Sequence, residues 1–161
     1  MSEATDIVIF SPILNGHQSG VSDALWKLTH GGFRFVEIEM PSEDNFKGGN
    51  TDYSSCPYLI KAWRSKEEWE EAMNARCCIF SSVNALPFQK ARMKKGLLSF
   101  DMSERWLKRG WQNLFSPAIF RMFLAYRLGG WEKKPLYKLC CSGFAADDHR
   151  RLGMYRDKCF K

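Results

Sequence analysis

The sequence predicts an α/β fold with three layers, in which a mostly parallel β-sheet is covered by helices on both faces. Short apolar runs of strand length alternate along the chain with longer segments that have an apolar face at helical spacing. Glycine, proline and helix-capping residues separate these segments, and no internal repeat or low-complexity tract interrupts the series. Strands that alternate with helices in this way form parallel sheets through right-handed crossovers.

Residues 6–57 supply the first two predicted strands and the first predicted helix. In order, we predict a strand over 6–11, a loop over 12–19, a helix with apolar positions at Val21, Ala24, Leu25 and Leu28, a strand over 33–38 and a long surface loop over 40–57. Gly31 and Gly32 end the helix. The loop over 40–57 has little periodicity, and loops of such length are often functional.

The remaining residues continue the alternation. Helices are predicted after the capping pair Ser65 and Glu68, from Pro87 to Gly96, from Pro117 to Leu128 and over 142–152, and strands over 77–81, 97–100, 137–141 and from 158 onward. The first of these helices places Trp69, Ala72 and Met73 on one face. Because the last strand begins so close to the final residue, we expect the natural protein to continue beyond it.

Composition limits the class of protein. The 161 residues are 45% hydrophobic and 26% charged, which is ordinary for one soluble domain. No stretch approaches the roughly 18 consecutive apolar residues of a membrane-spanning helix. The first residues lack the basic segment of a signal peptide. We therefore expect a cytoplasmic protein.

The cysteines do not have the spacing of a metal site. They are Cys56, Cys159 and the adjacent pairs Cys77-Cys78 and Cys140-Cys141, and no two form a C-x-x-C motif. Adjacent residues of a strand point to opposite faces, so neither pair presents two thiolates to one zinc ion. We expect buried, reduced thiols and no bound metal.

Loops that follow strands are where a ligand is expected. Right-handed crossovers place all of these loops at one edge of a parallel sheet, and ligands of such folds bind at that edge. In this chain the edge would carry residues 11–19, 37–40, 81–84, 101–105 and 142–144. The fold by itself does not define the ligand.

Three groups of residues, spread over nearly the whole chain, carry a family resemblance. They are residues 9–11 with 15–18 and 22–25, residues 98–105 with 108–110, and residues 139–147 with Gly153 and 155–158. As an ordered set they resemble the amino-terminal half of bacterial glycosyltransferases of the GT-B architecture. The resemblance implies one Rossmann-like, acceptor-side domain over 1–161. In the family this domain faces a second Rossmann-like domain that binds the nucleotide-sugar donor, and we expect that donor domain to be absent from this sequence.

The resemblance also implies a function. The chain would be the acceptor-binding half of a nucleotide-sugar-dependent glycosyltransferase in cell-surface polysaccharide or glycolipid synthesis, with a saccharide or lipid-linked acceptor. We expect no cofactor on this domain alone, a nucleotide-sugar donor for the complete enzyme, and no activity in the isolated chain. The alternative is a stand-alone, non-enzymatic α/β binding module, which an immediate stop codon would favour.

The loop after the first predicted strand supplies the first candidate site. We assign Asn15, Gly16 and Gln18 to substrate binding. His17 is the candidate catalytic base, because the resemblance places a histidine of this loop in that role in some inverting enzymes. An imidazole accepts a proton near neutral pH. The alternative is that His17 is a hydrogen-bonded loop residue without a catalytic role.

A nucleotide-binding domain of another enzyme class competes for the same loop. Gly16 and Gly20 stand at a helix entrance, where backbone N–H groups can face a phosphate. Glu37 and Glu39 lie at a suitable distance to bind a ribose. The glycine pattern G-x-G-x-x-G is nevertheless absent, which argues against a nicotinamide site.

A second candidate site follows the predicted strand over 97–100. Asp101, Glu104 and Arg105 would stand at the edge of the sheet, where carboxylates accept hydrogen bonds from sugar hydroxyls and arginine binds a phosphate. The alternative is that this segment caps a short helix and that Glu104 pairs with a neighbouring base. Ser142 is predicted first to cap its helix and second to contact a ligand.

The formal net charge of +6 is concentrated between residues 105 and 131, where no acidic residue occurs and aromatic residues alternate with basic ones. Such a composition is typical of a segment that lies on an anionic bilayer, and it predicts peripheral attachment to the inner face of the membrane. The predicted membrane-contact residues are Arg105, Trp106, Lys108, Arg109, Trp111 and Arg127. The alternative is that the helix from Pro117 simply covers the sheet. No nucleic-acid-binding motif accompanies the basic residues, so we expect no nucleic-acid partner.

Overall fold

The computed structural model describes residues 5–42 and 51–160. Within them, the strands are β1 (Ile7–Ser11), β2 (Phe33–Glu37), β3 (Leu59–Lys61), β4 (Cys77–Phe80), β5 (Ser99–Ser103), β6 (Lys108–Trp111), β7 (Leu136–Cys140) and β8 (Cys159–Phe160). Seven of these strands form a parallel sheet in the order β3-β2-β1-β4-β5-β7-β8, flanked by helices. This architecture confirms the predicted three-layer, Rossmann-like α/β fold.

The helices are α1 (Gly16–Leu28), α2 (Lys66–Ala72), α3 (Leu86–Lys95), α4 (Pro117–Leu128) and α5 (Gly143–Arg151). Short 3₁₀ turns cover Val83–Ala85, Gln112–Phe115 and Trp131–Lys133. No helix in the described ranges is long and apolar enough to cross a membrane.

The starts of α2 and α5 and the end of α3 follow the predicted sequence signals. Ser65 accepts a hydrogen bond from the Glu68 amide at 3.3 Å and begins α2, and Ser142 accepts one from the Ala145 amide at 3.3 Å and begins α5. Gly96 ends α3 in the left-handed conformation, with φ of 65°. The side chain of Ser116 makes no capping hydrogen bond, so Pro117 alone marks the start of α4.

Two compact units divide the chain, Met1–Ile79 and Phe80–Lys161. In the first unit, β1 pairs with β2 and β2 pairs with β3, all parallel. Its apolar cluster consists of Ile9, Leu14, Phe33, Phe35 and Tyr58. The packed face of α1 differs from the prediction, because Val21 and Leu28 are 58% and 75% exposed whereas Ser22 is buried.

In the second unit, β5 pairs with β7 and β7 pairs with β8, again parallel. The apolar cluster that lies beside these strands consists of Leu86, Met93, Trp106, Tyr126, Trp131, Leu136, Leu152, Met154 and Tyr155. Residues Ile119, Met122 and Phe123 of α4 pack against it, so one face of α4 is part of this core.

Three elements differ from the prediction. Helix α1 begins at Gly16, because Asn15 accepts a hydrogen bond from the His17 amide at 3.0 Å and caps the helix there. Strand β5 covers Ser99–Ser103 rather than 97–100, and β3 lies just after the predicted loop, in residues for which no element was predicted. Part of the predicted loop over 40–57, residues 43–50, lies outside the described residues.

The thiols are free, but they are not uniformly buried. Cys78 is buried, Cys141 is exposed and the other four are intermediate. The prediction of burial is therefore confirmed only for Cys78, and it is wrong for Cys141, which follows the end of β7. No group of three or more potential metal-ligating side chains occurs within residues 5–42 and 51–160.

Candidate functional site

The strongest candidate site lies in the first unit, where β1, β2 and β3 end together. Ser11, Glu37 and Lys61 are the last residues of these strands, and they are register partners across the three of them. The segments after the strand ends enclose a pocket of about 200 Å³. Ligands of parallel sheets bind beyond the carboxyl ends of the strands, which is the position of this pocket.

Glu37 is the buried carboxyl group of this pocket. Its side chain is 4% exposed, and its Oε1 accepts a hydrogen bond from the Leu14 amide at 3.0 Å. Burial raises the pKa of Glu37 above its ordinary value, although the Leu14 amide and the Lys61 ammonium act in the opposite direction. A buried carboxylate with few partners is a strong acceptor for ligand hydroxyl groups.

Two buried polar atoms close to these strand ends lack a partner among the described residues. One is the indole Nε1 of Trp63, a residue that lines the pocket. The other is Oε1 of Gln18, whose Nε2 donates to Ser11 Oγ at 2.9 Å. Leaving a buried donor or acceptor unpaired costs roughly 1–3 kcal/mol. Trp63 lines the pocket, so a ligand hydroxyl group there can supply the partner that its Nε1 lacks.

The pocket also has apolar walls and a charged rim. The rings of Tyr53 and Trp63 line it beside the charged residues Asp52 and Arg64. Asp52 accepts hydrogen bonds from the side chain and the backbone amide of Ser54, and these bonds lower the pKa of Asp52. Aromatic walls with a few fixed polar groups are the composition expected of a small-molecule site.

The residues of the first predicted site, 15–18, lie at the start of α1. Asn15 caps the helix, and Gln18 is bonded to Ser11. His17 lies in the first turn of α1 rather than before it, and its exposed side chain makes no hydrogen bond within the described ranges. The structure therefore brings Gln18 to the strand ends, and no carboxylate within the described part of the chain is hydrogen-bonded to His17.

The competing nucleotide-binding interpretation of this loop depended on its glycines. Gly16 and Gly20 both lie inside α1. Among the described residues, a Cβ on Gly20 would meet nothing within 4 Å, and one on Gly16 would meet only the Tyr53 hydroxyl at 3.6 Å. Neither glycine is required for close approach of another backbone, so this feature of a dinucleotide fingerprint is absent from the loop.

Asp101, the first residue of the second predicted site, is not at the end of its strand. It lies inside β5 with 2% exposure, and its Oδ2 lies 2.9 Å from the Lys138 ammonium, which is fully buried. Tyr155 also donates its hydroxyl to Asp101 Oδ2, at 2.7 Å. The predicted position of Asp101 on an open edge was wrong, because buried partners compensate its charge within the strand.

Arg105 and Glu104 each have a partner in the second unit. Arg105 donates from Nε and Nη2 to the two carboxylate oxygens of Asp148, both at 3.2 Å. The exposed Glu104 pairs with Lys108 at 3.1 Å, which is the alternative left open by the sequence. Ser142 caps α5 as predicted. These contacts bring Arg105 onto α5 but do not assemble a cluster of free polar groups.

The structure places the predicted membrane-contact residues in different surroundings: one is buried, some are paired and others are exposed. Trp106 is 4% exposed and packs in the core, so it does not contact a membrane and that prediction was wrong. Lys108 is paired with Glu104, and Arg127 donates to the Leu152 carbonyl at 2.7 Å. Arg109 and Trp111 lie on β6, whose residues are all exposed. A core aromatic cannot be told from a surface one by its basic neighbours alone.

No protein-family model, curated protein or solved structure matches this chain.

The sequence predicted the region of the pocket but not its arrangement, because the predicted ligand edge and the predicted loop over 40–57 contain most of the residues that line it. Glu37 is predicted at the ligand edge of the sheet and, in the competing interpretation, as a ribose ligand, whereas no sequence pattern singles out Lys61, Trp63 or Asp52. One usable signal was present: Glu37 is a carboxylate at the end of a buried strand run, Phe33–Glu37. Lys61 and Trp63 were hidden because β3 has only three residues and was not recognised as a strand.

Proposed function

We propose that this chain is the acceptor-binding half of a nucleotide-sugar-dependent glycosyltransferase that builds cell-surface polysaccharide or glycolipid. The pocket at the ends of β1, β2 and β3 holds a sugar ring of the acceptor. The observation that carries this proposal is the in-register row of Ser11, Glu37 and Lys61 beside the unpaired indole N–H of Trp63.

The chemistry of the pocket suits a sugar better than other small ligands. A sugar hydroxyl both donates and accepts, so one ring can donate to the Glu37 carboxylate and accept from Lys61 and from Trp63 Nε1. The C–H face of the ring can lie against the aromatic walls formed by Tyr53 and Trp63. The negative and positive side chains also disfavour a ligand with a large charge of either sign.

The size of the pocket supports one ring rather than a larger ligand. Its volume of about 200 Å³ is below the roughly 300–1,000 Å³ of sites for drug-sized molecules. A nucleotide sugar would not fit inside it. This small size agrees with the sequence resemblance, which implies that a second domain binds most of the nucleotide-sugar donor.

Titration calorimetry with a panel of hexoses, amino sugars and uronic acids tests the proposal. At least one should bind to the chain, and Glu37→Gln or Trp63→Phe should weaken its binding about tenfold, because each removes one hydrogen bond to the ligand. Glu70→Gln is the matched control, since Glu70 lies on α2 and pairs with Lys66. It should leave binding unchanged.

Two results would contradict the proposal. One is an absence of binding by every sugar at millimolar concentration while the chain remains folded by circular dichroism. The other is micromolar binding of a uridine, guanosine or thymidine sugar that is insensitive to Glu37→Gln, which would place a donor site in this chain.

A further inference from the structure

A second cavity, separate from the strand ends, lies between α3 and α4 in the second unit. This α3–α4 groove has a volume of about 640 Å³. Its floor is apolar and is formed by Leu86, Met93, Leu124 and Trp131. The predicted sugar site makes no use of it.

Four basic residues surround the α3–α4 groove. They are Lys90 and Lys94 on α3, Arg121 on α4, and Lys134. None of the four forms an ion pair within residues 5–42 and 51–160. Neither α3 nor α4 contains an acidic residue, so no carboxylate on these helices offsets the positive charge.

Apolar side chains of α4 extend from the floor of the groove into solvent. Phe120, Leu124 and Leu128 follow one another at intervals of four residues and so lie on one stripe of the helix. Phe120 is 49% exposed and Leu128 is 82% exposed. Just before α4, Trp111 and Phe115 are 57% and 86% exposed. The other face of α4 already packs against the core, so this stripe is not needed to cover it.

We propose that the α3–α4 groove and the stripe on α4 dock the chain on an anionic lipid bilayer. The stripe enters the boundary between head groups and acyl chains, and the four basic residues contact lipid phosphates. An apolar stripe flanked by lysine and arginine is the arrangement that binds helices in the plane of such an interface. This inference does not depend on the sugar pocket.

The charges favour a bilayer over a second copy of the chain. Two copies that paired through this face would bring eight basic side chains together without a compensating carboxylate from α3 or α4. An anionic bilayer supplies many phosphates at once, and each basic residue close to its surface strengthens binding by about fivefold. The exposed Phe120 and Leu128 of the stripe add insertion points that a soluble acidic partner would not require.

Co-sedimentation with vesicles tests the proposal. The chain should bind vesicles of phosphatidylcholine that contain phosphatidylglycerol, and it should bind pure phosphatidylcholine vesicles far more weakly. Binding should decrease as salt rises, because salt screens the contacts with phosphate. The triple variant Lys90→Glu, Lys94→Glu, Arg121→Glu should lose about 100-fold in partitioning.

A matched variant distinguishes the contribution of this surface from the effect of net charge on vesicle binding. Lys27→Glu, Arg151→Glu, Arg156→Glu reverses three exposed basic residues outside the groove and lowers the formal charge of +6 by the same amount. This control should retain most of the binding. Equal loss in the two triple variants would overturn the proposal, as would absence of binding to anionic vesicles at low salt.

A separate variant tests whether the apolar stripe on α4 contributes to vesicle binding. Phe120→Ser with Leu128→Ser changes two exposed side chains, so the fold should persist, and vesicle binding should decrease about tenfold at fixed charge. Unchanged binding would remove the stripe from the proposal. A dimer that forms at micromolar concentration and dissociates in this variant would identify a second copy as the occupant and contradict the bilayer.

Discussion

Asp148 holds Arg105 through two parallel hydrogen bonds of 3.2 Å, and its Oδ2 also accepts from the Leu107 amide at 3.0 Å. The carboxylate is 2% exposed, whereas the guanidinium is 37% exposed. Burial acts to raise the pKa of Asp148, but the bonds from Arg105 and Leu107 prevail and lower it. One side chain of α5 therefore anchors the segment between β5 and β6.

Asp148→Asn should destabilise the protein by about 1–3 kcal/mol, because the new amide group faces N–H donors in a buried site. Urea denaturation at neutral pH measures the change. Asp147→Asn is the neighbouring control: Asp147 is 46% exposed and pairs with Arg150, and exposed pairs contribute only about 0–1 kcal/mol. Equal effects of the two substitutions would contradict the anchoring role of Asp148.

Acid should destabilise the chain through His149. Burial first and the Lys138 charge second lower the pKa of His149 from 6.5 to about 3, while Asp101 and Asp148 act in the opposite direction. Below pH 6.5 the unfolded chain binds a proton at this residue and the folded chain does not, so stability falls as pH falls. The loss is at most about 1.4 kcal/mol per pH unit.

Denaturation curves between pH 7 and pH 4 test this effect. His149→Leu should flatten the pH dependence, because the substituted residue has no titrating group and its surroundings are the rings of Trp106 and Tyr155. His17→Gln is the control on an exposed histidine and should retain the slope. A steep slope in His149→Leu would assign the acid sensitivity to another group.

Binding of a neutral sugar should weaken in acid because of Glu37. The ionised carboxylate is the stronger acceptor, and burial raises its pKa, so the loss should begin at a higher pH than for an ordinary glutamate. Calorimetric titrations of one sugar between pH 7 and pH 4 measure it. Glu37→Gln should bind more weakly at pH 7 and show little further change. A parallel decline in both proteins would exclude Glu37 as the titrating group.

Alkylation rates should rank the thiols by exposure. Cys141 is exposed and should react first, whereas Cys78 is buried and should react only after denaturant is added. Burial, with the neighbouring Cys159, raises the pKa of Cys140 to about 11, which should slow its reaction further. Peptide mass spectrometry after a timed pulse of iodoacetamide gives the order. Reaction of Cys78 before Cys141 in the folded chain would contradict these placements.

The boundaries of α3 and the start of α5 were predictable because local chemistry sets them. Pro87 and Gly96 bracket α3, and Ser142 begins α5, as the sequence indicated. The end of β5 was not predictable in the same way. Asp101 resembles a surface residue until its partner Lys138 is known, and that partner is 37 positions away in the sequence. Long-range pairing overrode the local pattern there.

The candidate pocket was only partly predictable for a similar reason. Its groups come from three strand ends and from the segment 51–54, and only the sheet register brings Glu37 beside Lys61. The residues of one segment do not indicate how its strand aligns with the neighbouring strands. The unpaired Trp63 nitrogen is likewise a property of the folded surroundings and not of the residue type.

Asp101 and Lys138 are register partners on β5 and β7 as well as an ion pair. Side chains alternate between the two faces of a strand, so a shift of β5 by one residue would place these two charges on opposite sides of the sheet. Each would then be buried without its partner, at a cost of about 3–5 kcal/mol. The pair therefore discriminates against misaligned sheets during folding, a task that the interchangeable apolar neighbours of these residues cannot perform.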